Sequence, residues 1–143
     1  MPSPWQRRTT RKRSVPLPAH TAELISAYQR SSYVCPSLRL NWRIGGSCHG
    51  RHGAILGAWN PHSQRQGLWR NLRADRQLER RLRRVGRGAP VTVWGGCASW
   101  WEQHYFAAGL DPRTACWLAG AMRQNAWLWL DGRRVFLVCC AEC

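Results

Sequence analysis

The sequence has few acidic residues and no long apolar run, and each shortage excludes a class of protein. Only 7 Asp and Glu stand against 22 Lys and Arg. So few carboxylates argue against a carboxylate-bound Mg²⁺ site. No stretch of about 20 apolar residues occurs, which argues against a membrane-spanning helix. No apolar segment follows the basic N-terminus, so we expect no Sec-type signal peptide and a cytoplasmic protein without a membrane partner.

The familiar enzyme motifs are missing too. The sequence contains no glycine-rich phosphate loop, no GxGxxG dinucleotide fingerprint, no HExxH zinc motif and no GxSxG nucleophile elbow. The missing phosphate loop argues against an ordinary nucleotide hydrolase. Cys97, in the segment GGCAS, has no evident base beside it, so a Cys–His nucleophile is not favoured. The sequence leaves open whether the protein is an enzyme, and we expect no cofactor.

Arginine supplies nearly all of the positive charge, since Lys12 is the only lysine and the formal net charge is +15. One interpretation is a nucleic-acid binder. The other is arginine enrichment by genomic composition, with solvated side chains. Residues 1–19 hold four prolines and no apolar periodicity, so we predict a disordered basic arm there. Its candidate phosphate contacts are Arg7, Arg8, Arg11, Lys12 and Arg13.

Seven cysteines are scattered mostly within apolar runs. An odd number in such positions is typical of reduced thiols rather than of a disulfide framework. Cys48, His49 and His52 in one loop, with Cys140 and Cys143 near the end of the sequence, carry zinc-ligand side chains. Because the second pair falls in the last residues of the sequence, we interpret these residues as an incidental cluster and expect no metal. Residues 141–143 are assigned to a Cys-containing tail.

Hydrophobic periodicity predicts a single α+β domain over residues 20–140. We expect a partly antiparallel sheet of about five to six strands, covered on one face by two to three helices. The predicted order is one helix and two strands, repeated three times. Thr21 is the candidate cap of the first helix, and Asp111 with Pro112 marks the start of the last. Asp131-Gly132 predicts a type I′ turn between the final two strands.

The helix predicted over 68–85 carries two polar residues on its apolar side. Asn71 and Asp75 lie one turn apart and share that side with Leu68, Leu72, Leu78 and Leu82. Polar groups inside an apolar stripe are costly unless they form hydrogen bonds. We therefore expect Asn71 and Asp75 to face inward and to bond the Trp59–Ser63 turn, the polar segment that precedes this helix.

Other polar residues interrupt the apolar pattern at element ends. Asn60 precedes Pro61, which disfavours the α region and ends the strand. Glu102 shares a strand face with His104 and could act as an acid or base. Gln124 and Asn125 lie between a helix and a strand, where Asn could also serve as a C-cap. We expect Trp59, Asn60, Glu102, Gln124 and Asn125 to converge around one cleft, although a purely structural staple would use the same residues.

The ordered motifs YQRSSY, AWNP, the Asn71 helix, WWEQHYFAAGL and RQNAWLW resemble a bacterial family of unknown function, number 3293 among the domains of unknown function. The resemblance covers about residues 22–138. The family pattern usually has Thr at the position of Gly57 and often Ser at that of His104. The resemblance implies a bacterial cytoplasmic protein with a shared polar corner, and it brings no activity and no catalytic residues.

Two function hypotheses follow from these observations. The first is a small cytoplasmic domain that binds a small polar ligand or substrate, and the amides favour a neutral one. Its candidate binding residues are Trp59, Asn60, Asn71, Asp75, Glu102, Gln124 and Asn125. The alternative is an Arg-rich nucleic-acid-binding protein using the arm, the strand 38–44 and the helix 70–84. One continuous arginine face away from the polar corner would favour this alternative. Dispersed arginines would instead favour arginine enrichment by genomic composition.

Overall fold

A computed structural model describes residues 19–143 of the chain. The five candidate phosphate contacts of the predicted arm therefore lie outside the described residues. Three helices are present: α1 is Ala19–Arg30, α2 is Leu68–Val85 and α3 is Pro112–Ala121. Helix α1 begins before Thr21, so this residue is not its cap. Helix α3 begins as predicted, because the Asp111 carboxylate accepts the Thr114 backbone N–H at 2.9 Å.

The strands form one antiparallel sheet in the order β2-β1-β4-β5-β3-β6-β7. Their bounds are β1 Ser32–Cys35, β2 Leu40–Trp42, β3 His52–Gly57, β4 Val91–Cys97, β5 Trp100–Ala108, β6 Ala126–Asp131 and β7 Val135–Cys139. The α+β class is confirmed, with one strand more than the expected five to six. That additional strand is β1, which precedes a turn of only four residues.

Each face of the sheet buries its own apolar cluster, and β5 contributes to both by alternation. Tyr105 and Ala107 pack with Leu78 and Leu82 of α2 and with α3. Phe106, on the other face, packs with Trp42 and its neighbours. Helix α1 also lies on this second face, because its residues border the same cavity as Tyr33 and His104. The expectation that all helices cover one face was therefore wrong for α1.

Helix α2 confirms the predicted bounds and the unusual inward face. Asn71, Asp75, Leu78 and Leu82 are buried. Leu68 is 61% exposed at the first turn, so the apolar side is shorter at this end than the sequence pattern indicated. Most of the helix is held by one face against the sheet, and two of the four buried side chains there are polar.

Local details correct two further expectations. Only Gly132 has a positive φ (95°) in the turn between β6 and β7, which excludes a type I′ turn because that type needs two such residues. Cys116 and Cys143 form a disulfide, so these two cysteines are not the reduced thiols that we expected.

Among residues 19–143, no three His, Cys, Asp or Glu side chains are grouped to hold a metal. No helix in that range is long and apolar enough to cross a membrane.

Candidate functional site

The polar corner is formed by the seven candidate binding residues, Trp59, Asn60, Asn71, Asp75, Glu102, Gln124 and Asn125. It starts where β3 ends and the chain passes into Trp59-Asn60-Pro61. Asn60 has left-handed backbone angles (φ 47°, ψ 66°), a conformation that Asn tolerates better than most residues. This turn places the Asn60 side chain in the interior, where only 6% of its surface is exposed. Its Oδ1 accepts the Gln66 backbone N–H at 2.8 Å. Asn60 thus lies in the turn after β3 and is a buried hydrogen-bonding centre.

Helix α2 supports this turn through the two polar residues of its inward face. Asn71 Oδ1 accepts the Asn60 backbone N–H at 3.0 Å, and Asn71 Nδ2 donates to Asn60 Oδ1 at 3.2 Å. Trp59 Nε1 donates to Asp75 Oδ2 at 2.6 Å. The expectation that Asn71 and Asp75 face inward and bond the Trp59–Ser63 turn is confirmed.

Strand β5 brings a carboxylate to the opposite side of Asn60. Glu102 Oε1 accepts Asn60 Nδ2 at 2.6 Å and Trp100 Nε1 at 3.1 Å. Two N–H donors on one oxygen fix the orientation of this carboxylate. Glu102 and Asn60 are therefore in direct contact, which is the geometry that convergence around one cleft requires.

The segment after α3 closes the corner. Gln124 Nε2 donates to the Trp59 carbonyl at 3.1 Å, and Asn125 Nδ2 donates to Ser63 Oγ at 2.7 Å. Asn125 therefore holds the turn in place, and it is not the C-cap that the sequence also allowed. The helix ends earlier, at Ala121.

These elements surround a cavity of about 320 Å³ between α1 and the sheet. Five of the seven candidate residues border it: Trp59, Asn60, Glu102, Gln124 and Asn125. Asn71 and Asp75 do not, and they act from behind the corner by holding Asn60 and Trp59. The remaining walls come from α1, β1, β4, β5 and the connecting turns, and comprise Leu24, Ala27, Tyr28, Ser31, Tyr33, Ser63, Gly95, Gly96, Trp100 and His104.

Sequence reasoning did not select the walls that face α1. Tyr28 and Tyr33 lie in the motif YQRSSY, and Gly95 and Gly96 lie in the segment GGCAS, where only Cys97 was considered as a functional residue. Both glycines lie inside β4, where glycine often marks a close approach. A Cβ atom on Gly95 would lie 2.7 Å from the Tyr33 ring. Paired glycines within an apolar run were the signal that could have located this wall.

The His104 ring lies against Gly57 of β3 and Gly95 of β4. It is the register partner of Gly57 on β3, and a Cβ at Gly57 would lie 2.8 Å from its Cδ2. The two positions at which the chain departs from the resembled pattern are thus in contact, and the imidazole occupies the space that a larger side chain at 57 would need. Tyr33 packs edge-on against the ring, at 5.6 Å between centroids.

The protonation of His104 follows from its contacts. Its Nδ1 lies 3.0 Å from the Glu102 carbonyl, which can only accept, so Nδ1 carries the proton. Burial lowers the pKa of His104, although the Glu102 carboxylate opposes this shift. The ring is therefore neutral, and its Nε2 is an acceptor with no hydrogen bond from the part of the chain that the structure describes.

Tyr28 and Tyr33 border the same cavity, and burial there changes the pKa of both. Burial, followed by the nearby Glu102 charge, raises the pKa of Tyr28 to about 12. Burial is also the main cause that raises the pKa of Tyr33, with the charge of Glu102 among the others. Both hydroxyls stay protonated at neutral pH, so Glu102 is the charged group of the cavity.

Asp75 makes the stability of the corner depend on pH. Burial raises its pKa from 3.8 to about 6, despite the Trp59 hydrogen bond, which lowers it. Between these values the folded state holds a proton that the unfolded chain has released, so the free energy of unfolding falls as the pH rises. Relative to wild type, we expect the free energy of unfolding of Asp75→Asn to rise by about 2 kcal/mol between pH 4 and pH 7. Urea unfolding across this range measures the gain.

Asp111→Asn is the control, because Asp111 contributes to the pH dependence of stability with the opposite sign. Hydrogen bonds from Thr114 lower the pKa of Asp111, so its stabilising contribution is present above its usual pKa and is lost as the pH falls. A pH profile of Asp75→Asn parallel to that of wild type would show that folding does not raise the pKa of Asp75.

Fold and site together define an α+β domain with an aromatic cavity and one buried polar corner. Residues 56–127 match the family described as "Protein of unknown function (DUF3293)". This segment is half of the chain and contains all seven candidate residues, and the chain belongs to that family. The match confirms the resemblance over a shorter range than 22–138. No curated protein and no solved structure matches the chain.

Proposed function

We propose that this protein binds a small polar ligand in the cavity between α1 and the sheet. The observation that carries the proposal is the Asn60–Glu102–Trp100 arrangement, a carboxylate fixed by two N–H donors in an aromatic-walled cleft. Small-molecule sites are typically apolar clefts of about 300–1,000 Å³ with a few convergent polar groups. Desolvating a carboxylate and several amides is costly for a corner that only staples elements together.

The polar residues divide into two roles in this proposal. Asn60, Asn71, Gln124 and Asn125 donate or accept within the corner, so they position the site. The amides therefore do not require a neutral ligand. Glu102 Oε2 and His104 Nε2 remain to meet a ligand.

Unbiased ligand detection tests the proposal. We expect native mass spectrometry of the protein, purified from a bacterial cytoplasm as the compartment that we propose, to reveal a bound small molecule. Ala27→Trp should abolish it, because Ala27 borders the cavity and an indole would fill the space. Gln29→Trp, on the exposed side of the same helix, is the matched control. An adduct that survives Ala27→Trp, or none in any protein, would contradict ligand binding in this cavity.

Nucleic-acid binding is the second candidate, and the outer face of α2 favours it. Arg70, Arg73, Arg76, Arg80, Arg83 and Arg84 are all exposed. At 100° per residue they fall within about 140° of the helix circumference, opposite the buried face. Other arginines are dispersed, Arg39 near β2 and Arg113 on α3 among them. Among the described residues, α2 therefore carries a continuous basic face.

We expect sequence-independent binding to duplex DNA that weakens steeply with salt. Replacing Arg73, Arg76 and Arg80 with Gln should reduce the slope of log K against log salt by about one unit per lost phosphate contact. The control replaces the exposed Arg39, Arg51 and Arg113, which removes the same charge elsewhere. Fluorescence anisotropy over a salt series measures both slopes. Equal reductions in the two triple variants would assign the binding to net charge.

A further inference from the structure

Among the described residues, the cavity is bordered by one charged group and by no cation that balances it. Glu102 carries that charge, and none of the described residues that border the cavity is Arg or Lys. This is notable in a chain with 22 Lys and Arg against 7 Asp and Glu. Within residues 19–143, the one ion pair joins Arg83 and Glu79 on α2, and neither residue borders the cavity. Arg65 stacks on Trp100 at 5.3 Å and forms no ion pair with Glu102.

The other polar groups in the cavity do not supply a positive charge either. His104 Nδ1 donates to a backbone carbonyl, which leaves Nε2 as an acceptor. Glu102 Oε1 is used by Asn60 and Trp100, whereas Oε2 accepts no hydrogen bond from the described residues. Two acceptor atoms are thus left to meet a ligand that donates N–H groups. An anion would meet the carboxylate, and no described residue that borders the cavity is Arg or Lys.

The walls suit a cation with an attached hydrocarbon group. Tyr28, Tyr33, Trp59 and Trp100 bring four aromatic side chains to the cavity, and Leu24 adds an apolar surface. Aromatic faces attract organic cations, and the attraction strengthens where water is excluded. A carboxylate beside aromatic rings is therefore complementary to a protonated amine at one end and to its carbon skeleton at the other.

We propose that the ligand of this cavity is a small organic cation, a protonated amine that donates to Glu102 Oε2 and His104 Nε2. This inference rests on the proposed ligand-binding function and names the chemical class of the ligand. It assigns Glu102 as the residue that selects charge, while Asn60 and Trp100 hold its carboxylate in place.

Three probes of matched shape test the charge selection: phenethylamine, phenethyl alcohol and phenylacetate, titrated calorimetrically near neutral pH, where an alkylamine is protonated. The amine should bind at least about tenfold more tightly than the alcohol, and phenylacetate should not bind. Glu102→Gln should remove the preference for the amine while retaining the alcohol, because Gln keeps an oxygen for Asn60 and Trp100. Thermal unfolding of this variant checks that it is folded.

Glu79→Gln is the charge-matched control, since it removes one negative charge from the outer part of α2. It should leave the preference for the amine unchanged. Equal binding of amine and alcohol, an unchanged preference in Glu102→Gln, or binding of none of the three probes would overturn the cation inference. The proposed ligand-binding function would then still stand or fall on the mass-spectrometric comparison with Ala27→Trp.

Discussion

Asn60→Ala is expected to reduce the free energy of unfolding by about 4 kcal/mol, because the side chain has three hydrogen-bonding partners and the backbone at this position is left-handed. Its Nδ2 donates to Glu102, and its Oδ1 accepts from Gln66 and Asn71. Alanine would leave these groups without their partner and would also adopt a φ of 47° at a cost. Urea unfolding of wild type and variant measures the difference.

Asn60→Gly separates the two causes, because glycine adopts the left-handed conformation without strain. It should be destabilised as well, but by about 1 kcal/mol less than Asn60→Ala. A loss below about 1 kcal/mol in Asn60→Ala would mean that water replaces the side chain and that the corner is not held by Asn60.

Gly57→Thr is expected to cost about 3 kcal/mol, at the upper end for inserting a side chain into a packed site. A Cβ at this position would lie 2.8 Å from His104 Cδ2. The ring has little freedom to retreat, since Nδ1 bonds the Glu102 carbonyl and Tyr33 packs against it. Denaturant unfolding measures the loss.

A double-mutant cycle with His104→Ser identifies the clash as the cause. Serine removes the imidazole, so Gly57→Thr should cost about 2 kcal/mol less in the His104→Ser background than in wild type. Additive effects of the two substitutions would show that the cost at 57 arises elsewhere, for example from the backbone of β3.

Much of the fold could be predicted because its strongest signals are local. The apolar spacing of α2, the Asp111-Pro112 start of α3 and the alternation along β5 each specify an element without help from distant residues. Strand β1 escaped prediction because Ser32–Cys35 is too short for a periodic pattern. The position of α1 on the second face depends on packing against β4, which no local pattern records.

The polar corner was predictable because a polar residue inside an apolar stripe requires a partner. This reasoning led from Asn71 and Asp75 to the Trp59–Asn60 turn, and the hydrogen bonds confirm it. The cavity was not predictable in the same way, since Tyr28 and His104 come from elements far apart in sequence. The disulfide between Cys116 and Cys143 likewise depends on the docking of the last residues against α3.

The most direct test of ligand binding at the polar corner is the indole ¹⁵N–¹H NMR spectrum. The small-molecule fraction of a bacterial lysate is added to protein labelled at tryptophan. We expect the Trp59 and Trp100 signals to shift, because both residues border the cavity, while the exposed Trp69 and Trp117 signals stay in place. Unchanged Trp59 and Trp100 signals, or equal shifts of all four, would contradict a ligand site in this cavity.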